Sequence, residues 1–192
     1  MGTRASAVRV ALVGAVAVAT LGCGTAEPAV PAAPAPSVVK APDADATAVP
    51  AALEGKALVT ISGRIAATNG DGTLRLDQQQ LDRLGLLELS VNDPWAKQRI
   101  DIQGTWLRDL VALARPDTGA TTLHMTALDD YQIDIPLADV RSQSIFLATR
   151  TGDGAALPVE EGGPTRVVFT DDLAPKYSPD LWIWNIQTIE VR

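Results

Sequence analysis

The sequence predicts an α+β fold made mostly of antiparallel sheet, with two or three short helices. Three observations carry that expectation. From Leu123 to Arg192, five short apolar runs of period two are separated by Asp129-Asp130, a TGDG turn at 151–154, a GGP turn at 162–164 and a long polar loop, Asp171 to Asp180. Alternation bounded by Gly, Pro and Asp is the pattern of half-buried strands joined by turns. Upstream, only two stretches space their apolar residues as a helix does. Finally, the roughly 135 residues from 57 to 192 suffice for a core without covalent staples, and a single cysteine leaves no intrachain disulfide to form.

In chain order, Leu58 to Ile65 alternates and forms the first strand. Asn69-Gly70-Asp71-Gly72 is a turn signal leading into TLRLD, hence a hairpin. Asp77 stands where it caps a short helix reaching Leu84, with Leu81 and Leu84 inward and three glutamines outward. Leu87, Leu89 and Val91 alternate with Glu88, Ser90 and Asn92, a strand that ends at Pro94, and Ile100 and Ile102 belong to another before Gly104. From Thr105, TWLRDLVALA sets Trp106, Leu110 and Leu113 on one helical face, widened by Leu107 and Val111. Arg108 and Asp109 point away, and Pro116 stops the helix. Leu123, Met125 and Ala127 then alternate with His124 and Thr126, and Ile133 and Ile135 with Gln132 and Asp134. In the final strand Trp182 and Trp184 share one side opposite Ile183, and core packing accounts for at least one of them.

The first 22 residues have the form of a secretory signal: Arg4 and Arg9 flank the apolar run Val10 to Gly22, which is too short to span a bilayer permanently. Cys23 follows Leu21-Gly22, as in bacterial lipoprotein signals, although Thr20 stands where Leu is usual. Lipidation of Cys23 would anchor the chain to the extracytoplasmic face of the cell membrane. The alternative is an ordinary cleavage site with an incidental cysteine. Residues 23–56 are rich in Ala and Pro and lack a periodic apolar face, so they are expected to be a flexible tether reaching roughly 30 Å as a coil. The folded domain is expected over 57–192.

Of 16 basic residues, Arg4 and Arg9 belong to the signal; the remaining 14 face 23 acids, a formal charge of −9. Such a surface repels nucleic acid, which is not an expected partner. The single histidine excludes a two-His zinc site, and a Ser-His-Asp triad would have to use His124 without a supporting motif. Asp129 and Asp130 are adjacent and fit a structural turn better than a catalytic pair. No Walker loop is present, and no catalytic residue or metal ligand is expected.

The order DDY, IPL, LATR, DG…L…GGP.R.V and W.W.I..IEV, with ISGRI, NDPW and G.WLRDLV upstream, resembles the small molybdopterin-binding oxidoreductase domain of sulfite-oxidase fold over residues 58 to 192. The resemblance implies that fold, and it implies a molybdenum-ligating cysteine thiolate in the segment before the G.WLRDL helix. The matching segment, LLELSVNDPW from Leu86 to Trp95, has no cysteine, and neutral Ser90 or Asn92 is a poor substitute for a soft thiolate. Molybdopterin therefore remains open as a ligand, whereas molybdenum is not expected. For the cofactor's anionic phosphate the resemblance points to His124, Arg99, Arg150, Arg166 and Lys176; solvated strand-end charges paired with acids, and a hydrogen-bonded His124, are the plainer reading.

Asn92, Asp93 and Trp95 end the strand that lacks the ligand, Tyr131 follows the Asp129-Asp130 turn, and the Asp171–Asp180 loop has the length of a lid or a mobile segment; these three pieces are expected to border one pocket, the alternative being surface loops with no pocket. Asn92, Trp95, Tyr131, Arg150 and Arg166 are the candidate cofactor-binding residues. Two functions follow. One is a degenerate, non-catalytic binding or accessory module of the cell envelope, serving a partner protein or a small ligand. The other is an active molybdopterin-dependent oxidoreductase that holds its cofactor without a cysteine. A purely structural envelope protein is a third possibility.

Overall fold

The structure is a computed structural model that describes residue 2 and residues 34–192. Apart from residue 2, the expected signal segment and the lipidation candidate Cys23 lie outside the described residues. Among the described residues, ten strands form two five-stranded sheets, accompanied by three short helices and two 3-10 turns. The first sheet has the order β1 (Ser37–Lys40), β4 (Leu86–Asp93), β5 (Gln98–Trp106), β8 (Ile145–Thr151) and β9 (Arg166–Phe169). The second has the order β3 (Leu74–Leu76), β2 (Val59–Gly63), β10 (Ile186–Val191), β6 (Thr122–Ala127) and β7 (Gln132–Pro136). Every pairing is antiparallel except β10 with β2. The last strand thus inserts at the centre of the second sheet, Ile189 lying between Ile61 and Met125.

Alternation does the sorting. Leu89, Val91 and Ile102 of the first sheet and Ile61, Leu74, Leu123, Met125 and Ile189 of the second are all buried in one continuous core. At the β5 bulge Gly104 is obligatory, because a Cβ there would stand 2.0 Å from the Leu147 carbonyl oxygen. Helix α1 (Gln78–Asp82) starts as expected: the Asp77 side chain accepts from Gln80 N–H while the Gln80 side chain accepts from Asp77 N–H, a capping box.

Helix α2 (Leu107–Ala114) begins two residues later than its apolar spacing suggests. Thr105 and Trp106 remain in β5, paired with Leu147 and Phe146, since strand pairing there outweighs helical periodicity. Trp106 sits edge-on to Phe146 at 5.4 Å, while Leu107, Leu110, Val111 and Leu113 bury the inner face. Helix α3 (Leu137–Ser142) is the third helix and packs on α2, β6 and β7 through Leu137 and Val140. The Trp182–Trp184 stretch is not part of the last strand, which begins at Ile186. Trp182 and Ile183 are both buried there, Trp182 against Phe169, so the stretch runs through the core edge rather than presenting two faces.

The tether reading does not hold for residues 34–56. Ser37–Lys40 pairs with the outer edge of β4, Ser37 opposite Glu88 and Lys40 opposite Leu86. Asp43 N–H then donates to the Arg83 carbonyl, Arg83 pairs with Asp45 at 2.8 Å, and Asn69, Gln80 and Arg75 donate to the carbonyls of Ala51 and Gly55. Composition hid a local cause: Ser37-Val38-Val39-Lys40 is a short β-prone run, and β4 offers an otherwise unpaired edge. Among the described residues, the compact unit reaches back to residue 34 rather than 57.

Candidate functional site

A cleft of about 390 Å³ opens where the ends of β4, β6 and the segment before β10 meet. Its walls are Trp95, Tyr131, Trp182 and Trp184, and Asp129 and Asp180 stand on its rim. Two of the expected residues, Trp95 and Tyr131, are therefore brought together. Each is held by the backbone around it. Asp93 Oδ1 accepts from the N–H groups of Trp95 at 2.8 Å and Ala96 at 2.9 Å, shaping the turn that presents Trp95. Tyr131 N–H donates to Asp129 Oδ1 at 3.2 Å, Asp130 takes the left-handed conformation, and the Tyr131 hydroxyl donates to the Asp180 carbonyl at 2.9 Å.

Arg166 lies beneath this cleft rather than in it. Its Nη1 donates to Asp93 Oδ2 at 3.1 Å, and its guanidinium stacks 5.3 Å from the centre of the Trp184 ring. Both ion-pair partners are buried, with side chains 5% and 1% exposed. Burial pushes the Arg166 pKa below its usual value, and the neighbouring Asp93 and Glu161 charges act against that shift. Gly162 permits the packing: it has φ +92°, and a Cβ would meet Arg166 and Trp184 at 2.9 Å each.

The other expected residues are elsewhere. Asn92 points to the opposite side of β4, where its amide donates to Asp171 Oδ2 at 3.0 Å. Arg150 grips Asp82 of α1 through two hydrogen bonds, 3.0 and 2.7 Å, and clamps that helix rather than lining the cleft. The Asp171–Asp180 loop is pinned, not free: Leu173 and Tyr177 are buried, Tyr177 stacks on Phe169 at 4.5 Å, and its hydroxyl donates to Asp139 at 2.7 Å.

All five basic side chains considered for an anionic phosphate already face a carboxylate. Arg99 meets Asp171 at 2.7 Å, Arg150 Asp82 at 2.7 Å, Arg166 Asp93 at 3.1 Å, Lys176 Asp139 at 3.6 Å, and His124 Nδ1 donates to Asp134 at 2.8 Å. Among the described residues, three buried polar atoms have no partner: Thr165 Oγ1, Arg166 Nε and Trp184 Nε1. These could serve an anion chemically, but all three are sealed from solvent. Ser90, in the segment where the resemblance seeks a thiolate, borders a separate groove of about 210 Å³ walled by Pro34, Pro36, Trp106 and Asp171. Among the described residues no group of three His, Cys, Asp or Glu is placed to hold a metal. The donors present do not fit a thiolate-held molybdenum cofactor.

The two sheets with their embedded C-terminal strand form a domain whose class, by the matches that follow, is sulfite-oxidase-like. The sequence profile described as the oxidoreductase molybdopterin binding domain matches residues 75–190, and the chain belongs to that family. Among solved structures, the sulfane dehydrogenase SoxCD from Paracoccus pantotrophus superposes with a TM-score of 0.54 at 17% identity, covering 73% of this chain and 40% of that one. The likeness shows the fold, and the chain spans about two-fifths of that protein's matched chain. No curated protein matches the sequence.

The residues that sequence reasoning misplaced had readable signals in part. Asp93 is in phase with Leu89 and Val91, so an acid was bound for the interior and needed a buried partner. Asp180, at the end of the Asp171–Asp180 loop, joins Trp95 and Tyr131 as expected, but nothing local showed that Trp184 would, because the cleft is assembled from three distant segments.

Proposed function

We propose that this member of the molybdopterin-binding family is exported, lipid-anchored at Cys23, and works as a non-catalytic binding or accessory module of the cell envelope. The observation that carries this reading is the content of β4. Its exposed side offers a hydroxyl at Ser90 and an amide at Asn92, and the only sulfur of the thiol kind in the chain is at Cys23. A neutral hydroxyl does not replace the electron-rich thiolate that steadies a high-valent metal. The pairing of each candidate basic group with an aspartate adds support, since a cofactor phosphate would have to displace a carboxylate. The export and anchoring rest on the signal and on Cys23, and no helix among the described residues is long and apolar enough to cross a membrane.

The test is intact-mass analysis and an oxygen-atom-transfer assay on protein purified from its own export route. A diacylglycerol-modified Cys23 and no turnover are expected. Steady turnover of an oxo-transfer substrate would replace this reading with the second one, an active oxidoreductase holding molybdopterin without a cysteine ligand, which the family membership favours.

A further inference from the structure

Resting on the reading of a binding module, we propose that the Trp95–Tyr131–Trp184 cleft binds small quaternary ammonium compounds. Trp95 and Tyr131 are the two exposed aromatic side chains among the described residues, 53% and 46% exposed, and both open onto this one cleft. Large aromatic faces left in water at the mouth of a cavity are costly unless something covers them. Charge selects the occupant. Asp129 and Asp180 stand on the rim, and no Lys, Arg or His lines the cavity. Arg166 lies behind Trp184, and its charge is matched by Asp93. An anion is therefore repelled, and a cation gains both the ring faces and the carboxylates.

The kind of cation follows from the lining. A bare metal ion needs several converging oxygen or nitrogen ligands, and no such cluster exists among the described residues. A quaternary ammonium carries its charge under a skin of methyl groups, sheds water readily, and fits aromatic walls of this kind. A neutral sugar would stack on the rings and donate hydroxyl hydrogen bonds to Asp129 and Asp180, but it brings no charge to the ring faces or to the two carboxylates.

The full chain is titrated with choline, with its uncharged isostere 3,3-dimethylbutan-1-ol, and with glucose, following tryptophan fluorescence and calorimetry. Saturable choline binding is expected, at least about tenfold tighter than the isostere, with Trp95→Ala weakening it by about tenfold. Asp129→Asn combined with Asp180→Asn weakens it several-fold and flattens its salt dependence. Trp95 is exposed, so Trp95→Ala keeps its fold, which circular dichroism checks. No saturation by choline, equal binding of the isostere, preference for glucose, or indifference to Trp95→Ala would each overturn the proposal. Molybdenum content of the same preparation separates the two ideas. Metal-loaded protein that still binds choline sinks only the non-catalytic reading; metal-free protein that ignores choline sinks only the cleft.

Discussion

The Asp93 carboxylate spans two structures at once: one oxygen accepts from Arg166 at 3.1 Å, the other from the backbone of Trp95 and Ala96. Through Arg166 it reaches the Trp184 ring, and through Trp95 N–H it fixes the opposite wall of the cleft. A buried ion pair thus serves as the hub from which both aromatic walls are set.

Asp93→Ala leaves the Arg166 guanidinium buried without its counter-charge. Such losses cost roughly 3–5 kcal/mol, and the Trp95 turn loses two hydrogen bonds besides. Equilibrium denaturation should show a loss of that order. Replacing the pair together, Asp93→Asn with Arg166→Met, should recover much of it, because no uncompensated charge remains. A double variant as unstable as Asp93→Ala would mean that the pair matters through shape and not charge.

Arg150→Ala separates structure from site. Its two bonds to Asp82 are partly buried, both side chains being 19% exposed, and charge-assisted hydrogen bonds of that kind contribute about 1.5–3 kcal/mol. A lower melting temperature is expected, with ligand binding at the cleft unchanged. Weakened binding in a folded Arg150→Ala protein would restore this residue to the site.

Deleting residues 24–40 while keeping Cys23 uncovers β4. An exposed strand edge invites pairing with another copy, so sedimentation should detect more association than in the full chain. A monomer of undiminished stability would show that Ser37–Lys40 is dispensable.

Asp109 gives a pH signature. Burial raises its pKa above the usual value of 3.8, with Arg108 acting in the opposite direction. A carboxyl whose folded pKa is raised binds its proton more tightly in the native state, so the native state is favoured below the unfolded pKa. That advantage is lost as pH rises through the folded pKa. Asp109→Asn should therefore raise the melting temperature at neutral pH, and the gain should vanish as pH falls below about 3.8. A gain that persists at low pH would point to another cause.

The sequence made the sheets legible because burial enforces strict alternation: Leu89 and Val91, Leu123 and Met125, Ile133 and Ile135 each face inward as their spacing requires. Capping chemistry was equally local, and Asp77 with Gln80 could be read directly. Trp95 and Tyr131 were legible as loop aromatics next to turns. Long-range partners were not. Arg150 sits beside an acidic TGDG turn in sequence yet pairs with Asp82, 68 residues away. The Ser37–Lys40 strand was masked by the Ala and Pro around it, and its pairing depends on an edge that only the folded sheet creates.

The most direct measurement is molybdenum per chain, by plasma mass spectrometry, on protein exported by its own route from cells supplied with molybdate. Far less than one metal per chain is predicted, in a colourless preparation. One molybdenum per chain, retained through purification, would contradict it and show that a high-valent metal is held here without the thiolate that β4 lacks.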